Sequence, residues 1–321
     1  MRIREVFLGS LAILAVVSAP ASGDDFGGGE HAFTIEFVTV GAPGNPPDAL
    51  PNTAGAVPYV YRIAAYEISE RMIDAANALG GLGITKDERG PEKPATSVTW
   101  FEAAAFVNWL NTSTGHPPAY KFDDAGAFQL WLPSDPGYDA TNLYRNKRAK
   151  YFLPSTDEWH KAAYYDPVAG HYWDYPTGSD NVPDGIDFPG DTIFDAVFFD
   201  GGNQLGPNDI FNVGVASPSG AFGLGGNVFE WVETAIDRVN STTLKQRGQA
   251  GGDWGSTEST LRATRVLNGS NPGLDLFFNG FRVVSAVPEP NSLGLFVILI
   301  GGVRAAFYWM EQGSRQSRAR Q

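Results

Sequence analysis

The chain contains no cysteine, and this absence restricts its structure more than any other feature of the sequence. Disulfide bonds, zinc–thiolate sites and thiol nucleophiles are all excluded. The fold must therefore rely on a buried core, which 321 residues with 43% hydrophobic side chains can provide. Within that core-forming composition, 38 glycines and 22 prolines favour a loop-rich fold over a helical bundle.

The first 21 residues have the three parts of a secretory signal peptide. Two arginines precede an apolar run at 6–17, and Ala19-Pro20-Ala21 forms a small-x-small cleavage site. We therefore expect signal peptidase to cut after Ala21 and export to follow. Residues 22–31 are rich in Gly and Asp and are predicted to be a linker. The alternative reading of the start is a buried N-terminal helix.

Residues 287–321 have the parts of a sorting tail. Val287-Pro288-Glu289-Pro290 precedes an apolar stretch, and arginines follow to the end of the chain. The span 293–310 is marginal as a transmembrane segment, because Arg304 interrupts it. These parts together resemble the PEP-CTERM sorting signal of exported bacterial proteins. The resemblance implies transient anchoring in the inner membrane and then cleavage by an exosortase-type peptidase. The mature protein would reach the periplasm, the cell surface or the extracellular matrix.

Between these ends, residues 32–286 contain no repeat and are predicted to form one domain. Alternating hydrophobicity at 31–40 predicts a strand. Helical periodicity predicts three helices, which begin after Ser69, after Thr99 with a capping box to Glu102, and after Ser155 or Thr156. The later part of the domain has mostly turns and short strands, so the expected fold class is α+β.

Five motifs inside this domain carry a resemblance to a known family. They read SVTWFEAAAFVNWLN, YFLPSTDEWHKAAYYDP, GGNVFEWVET, AGGDW and GFRVV. In order and spacing they resemble the formylglycine-generating enzyme/sulfatase-modifying factor family over roughly residues 55–286. The resemblance implies a C-type-lectin-like α+β fold, loop-rich with limited regular secondary structure and often stabilised by calcium.

The family's founding activity is not supported by this sequence. In the family, two cysteines hold copper and oxidise a sulfatase cysteine to formylglycine. They lie four and nine positions after the second glycine of a Gly-Gly-x-aromatic turn, which from Gly252 gives Ser256 and Leu261. Cu(I) prefers thiolate ligands, so we expect no copper at these positions. Other branches use iron with histidines, but the four histidines here have no H-x-x-x-H spacing.

Calcium is the cofactor that the resemblance leaves open. The family builds one calcium site near its G-N-x-x-E-W turn, where Asn227 and Glu230 match, and another near an earlier strand, where Asp200 remains. Gly223 stands where an acid or amide is common. The alternative is structural: Asn227 caps backbone groups and Glu230 pairs with an arginine.

The composition also limits the partners. A formal charge of −13 repels phosphate backbones, so we expect no nucleic-acid partner. The aromatic loop HYWDYPTGSD would suit a carbohydrate or a peptide, although a core role is the alternative. We expect a ligand cleft around Trp254, Ser256 and Arg282. The sequence thus predicts an exported, non-catalytic binding or surface protein. The alternative is an enzyme of the same family with a cysteine-free mechanism.

Overall fold

The computed structural model describes residues 22–49, 53–185, 195–201, 205–265 and 267–287. The predicted signal peptide lies outside these residues, and so does the predicted sorting tail from Pro288 onwards. Among the described residues, no helix is long and apolar enough to cross a membrane.

Short strands and helices alternate with long connections. The helices in the described residues are α1 (Glu70–Gly80), α2 (Trp100–Ser113), α3 (Thr156–Tyr164) and the single turn α4 (Glu258–Leu261). The strands are β1 (Ser22–Phe26), β2 (Phe33–Val40), β3 (Tyr61–Ala64), β4 (Lys121–Phe122), β5 (Phe128–Gln129), β6 (Tyr151–Phe152), β7 (Tyr165–Asp166), β8 (His171–Tyr172), β9 (Phe229–Ala235), β10 (Arg247–Ala250), β11 (Asn268–Ser270), β12 (Asn279–Gly280) and β13 (Val284–Ala286). This is an α+β fold with limited regular secondary structure, as the sequence predicted.

A five-stranded antiparallel sheet joins the two ends of the domain, in the order β1-β2-β3-β13-β6. Its first strand corrects a prediction: residues 22–31 were expected to be a linker, but Ser22–Phe26 pairs with β2 over its whole length. Two contacts explain the difference. Phe26 is buried in the core, and Asp24 forms an ion pair with Arg62 across the sheet at 2.7 Å.

A second, four-stranded sheet has the order β11-β10-β9-β12. Strand β12 runs parallel to β9, and the other neighbours are antiparallel. The GGNVFEWVET motif enters this sheet as β9, where Trp231 is completely buried and donates its Nε1 proton to the Val98 carbonyl at 2.8 Å. The motif therefore places a central strand of the domain.

The helices begin where their capping residues predict. In α2 the Glu102 amide donates to Thr99 Oγ1 at 3.1 Å, and the Thr99 amide donates to Glu102 Oε2 at 2.8 Å. In α3 Ser155 and Glu158 form the same reciprocal pair, at 3.2 and 2.7 Å. Ser69 precedes α1 as predicted, but its side chain makes no capping hydrogen bond.

One large hydrophobic core contains side chains from both sheets and from α1, α2 and α3. The tryptophans of the family motifs are all buried, with at most 8% of their surface exposed: Trp100, Trp109, Trp159, Trp231 and Trp254. The prediction that these aromatic residues form core is confirmed. Because each Trp removes a large apolar area from water, these five side chains contribute to the stability of the interior.

Candidate functional site

The turns before β9 and after β10 lie against each other and form the base of the candidate site. The Gly226 amide donates to the Gly251 carbonyl at 2.9 Å, and the Trp254 amide donates to the Asn227 carbonyl at 3.1 Å. Gly226 has a φ of +85°, and a Cβ there would lie 2.1 Å from the Val197 carbonyl oxygen. Only glycine permits this approach, which explains the second glycine of the motif's Gly-Gly pair.

Asn227 connects three segments of the chain at this base. Its backbone is left-handed, with a φ of +55°, a conformation that asparagine tolerates better than most residues. The side chain is completely buried. Its Oδ1 accepts from the Asn208 amide at 2.8 Å, and its Nδ2 donates to Glu67 Oε1 at 2.9 Å.

Glu230 and Arg282 form a bidentate ion pair in the interior. Arg282 Nε donates to Glu230 Oε2, and Nη2 donates to Oε1, both at 2.6 Å. Trp159 Nε1 also donates to Oε2, at 2.8 Å. Arg282 donates further to the carbonyls of Ala64 and Phe222, at 3.0 and 2.8 Å. Neither charged side chain exposes any surface, so the pair depends on these hydrogen bonds to offset the cost of desolvation.

Glu67 completes this buried group, and sequence reasoning missed it. Its carboxylate lies in front of Gly223, where a Cβ would stand 2.6 Å from Oε1. Burial, and less strongly the charge of Glu230, raise the pKa of Glu67 to about 7, although Arg282 opposes the shift. The second oxygen, Oε2, is buried without a hydrogen-bond partner. Gly223 stands where an acid or amide is common, which indicates that another residue supplies the carboxylate. That residue, Glu67, lies far away in the sequence and could not be named from the motif.

These residues do not fit a calcium site. Both carboxylate oxygens of Glu230 accept N–H donors, and Arg282 already supplies the positive charge that a cation would bring. Asn227 Oδ1 is likewise used by a backbone amide. Asp200 lies against Gly185, where a Cβ would come within 1.9 Å of its Oδ2. In the part of the chain that the structure describes, no three acidic or histidine side chains form a group that could hold a metal.

The two positions that correspond to the family's cysteines meet around Gly252. Ser256 Cβ and Leu261 Cδ1 lie 3.3 and 3.1 Å from the point where a Cβ on Gly252 would stand. Ser256 Oγ donates to Asp253 Oδ1 at 2.5 Å, and burial raises the pKa of this carboxyl. Leu261 is completely buried in a small apolar cluster with Tyr175. A hydroxyl held by a carboxylate and a buried isobutyl group do not fit copper, which requires softer ligands here.

The three residues expected to line a ligand cleft are buried to different degrees. Trp254 is 8% exposed, and the guanidinium of Arg89 lies over its ring at 4.8 Å. Ser256 is half-buried in the turn that follows. Arg282 is completely buried, with its donors used by Glu230 and by backbone carbonyls. It is therefore a residue of the interior and does not face an open cleft.

The aromatic loop after α3 ties segments together. Tyr172 Oη accepts from Asn45 Nδ2 at 2.6 Å and donates to the Pro46 carbonyl at 2.9 Å. Tyr175 is completely buried, and its hydroxyl accepts from Arg262 Nε at 2.7 Å. The core interpretation therefore agrees with the structure for Tyr175, whereas Tyr172 is half-buried and packs against the core.

Comparisons with known proteins found one matching family model and several similar solved structures. The family model of the sulfatase-modifying factor enzyme 1-like domain matches residues 61–287. "Treponema denticola variable protein 1" is similar in structure, with a TM-score of 0.57, 17% identity, and coverage of 82% of this chain and 98% of that one. "CarF" has a TM-score of 0.60 and 20% identity, with 79% and 98% covered. "PvdO from Pseudomonas aeruginosa" has a TM-score of 0.51 and 17% identity, with 84% and 100% covered.

No curated protein sequence matches the chain. At identities of 17–20%, the solved structures show a shared fold alone. The family model, in contrast, covers well over half of the chain, including all five motifs and the turns around Gly226 and Gly252. The chain therefore belongs to the family of sulfatase-modifying factor enzyme 1-like domains.

Proposed function

We propose that this protein is an exported, non-catalytic member of its family that acts as a binding or surface protein. One observation carries the proposal: the scaffold around Gly252 brings Ser256 and Leu261 together, but neither side chain can hold copper. No cysteine elsewhere in the chain can replace them. The fold is thus kept while the metal ligands of the founding reaction are missing.

A direct test is to incubate the purified protein with a cysteine-containing sulfatase peptide and copper, and then to measure the mass of the peptide. We expect its mass to stay unchanged, and a copper-loaded active member of the family serves as the positive control. A loss of mass that corresponds to aldehyde formation would overturn the proposal. It would support the alternative, an enzyme with a cysteine-free mechanism.

We propose further that the two ends of the chain direct export and sorting. Signal peptidase would remove residues 1–21, and the tail would anchor the precursor until an exosortase-type peptidase cuts it. Intact mass spectrometry of exported material tests both steps. The expected chain begins at Ser22 and ends near Pro290, whereas exported protein that retains Arg320 would contradict the sorting step.

We also propose that the Glu230–Arg282 ion pair, and not calcium, stabilises the turn before β9. The short bidentate contact, with Trp159 as a third donor, supports this assignment. An arginine at this place supplies a fixed positive charge, so the turn does not depend on a dissociable ion.

A further inference from the structure

Two open hollows adjoin on the surface where β2 meets the start of α1. The first is lined by residues including Glu36, Tyr66 and Phe211. The second is lined by residues including His31 and Asp74. Arg71 lines both hollows, so they lie side by side, and we call the pair the β2–α1 groove.

Aromatic rings form one end of this groove. The Tyr66 ring stacks on Phe222, with centroids 5.3 Å apart and an interplanar angle of 14°. The ring of Phe211 meets Tyr66 edge to face at 4.9 Å and is 57% exposed. Phe211 is therefore held in place by its neighbour while it remains open to solvent. A preformed aromatic surface of this kind loses little conformational entropy when a ligand binds.

Polar groups beside these rings are free to form hydrogen bonds. Within the described residues, neither the Glu36 carboxylate nor the Tyr66 hydroxyl has a hydrogen-bond partner, and Glu36 is exposed. Burial and the charge of Glu36 raise the pKa of Tyr66, so its hydroxyl stays protonated and can donate. An acceptor and a donor thus lie next to an aromatic face.

The charges of the groove disfavour an acidic ligand. Glu36, Glu67, Asp74 and Glu30 contribute carboxyl groups to the two hollows, against the guanidinium of Arg71. Arg71 Nε is already paired with Glu92 at 3.2 Å, and Asp74 is paired with Lys86 at the same distance. Within the described residues, the carboxylate of Glu36 has no cationic partner and lies next to the aromatic rings, where it would repel a uronic acid.

We propose that the β2–α1 groove binds a neutral oligosaccharide, with one sugar ring against Phe211 and Tyr66 and the next towards His31 and Asp74. A sugar ring has an apolar C–H face and a rim of hydroxyls. The face matches the aromatic rings, and the hydroxyls match Glu36 and Tyr66 Oη. Two hollows that share Arg71 suit at least two linked rings. This inference rests on the proposed role as a binding protein and names its ligand class.

The test applies the mature chain to an array of neutral and acidic oligosaccharides, followed by calorimetric titration of a bound neutral glycan. We expect neutral glycans to bind and oligouronates not to bind. Phe211→Ala should weaken binding at least about tenfold, since it removes the exposed ring. Phe277→Ala is the matched control: Phe277 is 58% exposed and lies outside the groove, so affinity should not change.

Three results would overturn the assignment: no neutral glycan binds, only acidic glycans bind, or Phe211→Ala binds as tightly as the unaltered protein. Each of these results leaves the sulfatase-peptide assay unaffected. Failure of the ligand assignment is therefore distinguishable from failure of the non-catalytic role.

Discussion

The side chain of Arg247 is completely buried and lies among aromatic rings. Its guanidinium carbon is 4.1 Å from the ring centroid of Tyr144 and 4.6 Å from that of Trp100. One nitrogen donates to the Lys245 carbonyl, whereas Nε and Nη2 have no hydrogen-bond partner. Burial lowers the pKa of this arginine. Stacking on π faces is therefore the main compensation for burying the charge.

This arrangement predicts that Arg247→Lys is more damaging than Arg247→Met. Lysine keeps a buried charge, which is more strongly hydrated in the unfolded chain, and loses the planar stacking. Methionine fills a similar volume without a charge to desolvate. We expect the lysine variant to lose about 2 kcal/mol of unfolding free energy and the methionine variant to stay within about 1 kcal/mol of the original. Urea denaturation measures both, and the reverse order would contradict the stacking interpretation.

A second residue-scale prediction concerns Glu67, whose pKa rises to about 7 from a usual value of 4.5. Since the folded protein holds this proton more tightly, the contribution to stability is complete below pH 4.5 and is lost as the pH rises through 7. The loss amounts to about 3 kcal/mol. Glu67→Gln removes the titration, so its stability relative to the original protein should improve between pH 5 and pH 8. An equal difference at both pH values, measured by urea denaturation, would contradict this prediction.

At the scale of elements, α2 and α3 begin with the same capping box but use its glutamate differently. Glu102 is partly exposed and also accepts from the Thr85 amide at 3.0 Å. Glu158 is completely buried, accepts from Tyr59 Oη at 2.7 Å and lies 3.4 Å from Arg145 Nη1. The capping box is local and can be predicted from four residues, whereas the contact with the partly buried Arg145 cannot.

The two helices therefore provide a matched pair of substitutions. Glu102→Gln should cost less than about 0.5 kcal/mol, because glutamine also completes a capping box. Glu158→Gln should cost about 2 kcal/mol or more, because Arg145 then keeps only Glu233 as a buried counter-charge. Thermal or urea unfolding of both variants measures the loss of stability that each substitution causes. Equal costs would show that the Arg145 contact adds nothing to the cap.

The strands were harder to predict than the helices. The alternation of apolar and polar residues predicted β2, because the apolar positions of its own sequence form its buried face. The strand β1 was missed, since a glycine- and aspartate-rich segment becomes a strand only through β2 and Arg62. In the candidate site, Asn227 and Glu230 were identified from the motif. Glu67 and Arg89 were missed, because the sequence around them carries no pattern that indicates a functional site.

At the scale of the whole molecule, the last described segment closes the domain. Strand β13 pairs with both β3 and β6, and Arg282 just before it donates to a carbonyl 218 residues away. Motif order was enough to predict the fold, because the motifs carry the turns and buried tryptophans. The strand order was not predictable, because contacts of such long sequence separation decide it.

The buried Glu230–Arg282 ion pair leads to a prediction about metal dependence. Since an ion pair occupies the turn that a calcium ion would hold in relatives, removal of divalent cations should leave the thermal midpoint of the domain unchanged. A ligand bound only by the folded state must raise that midpoint. A fall of several degrees in EDTA, reversed by added calcium, would show that the ion pair is not sufficient.

The central claim is that the scaffold of a copper site remains while its ligands are gone, and Cu(I) binding tests it most directly. The measurement is a competition titration of Cu(I) against a chromophoric chelator, with the original protein and with the double variant Ser256→Cys/Leu261→Cys. Because the two positions converge around Gly252, the double variant should take Cu(I) from the chelator and the original protein should take none. Tight Cu(I) binding by the original protein would contradict the account.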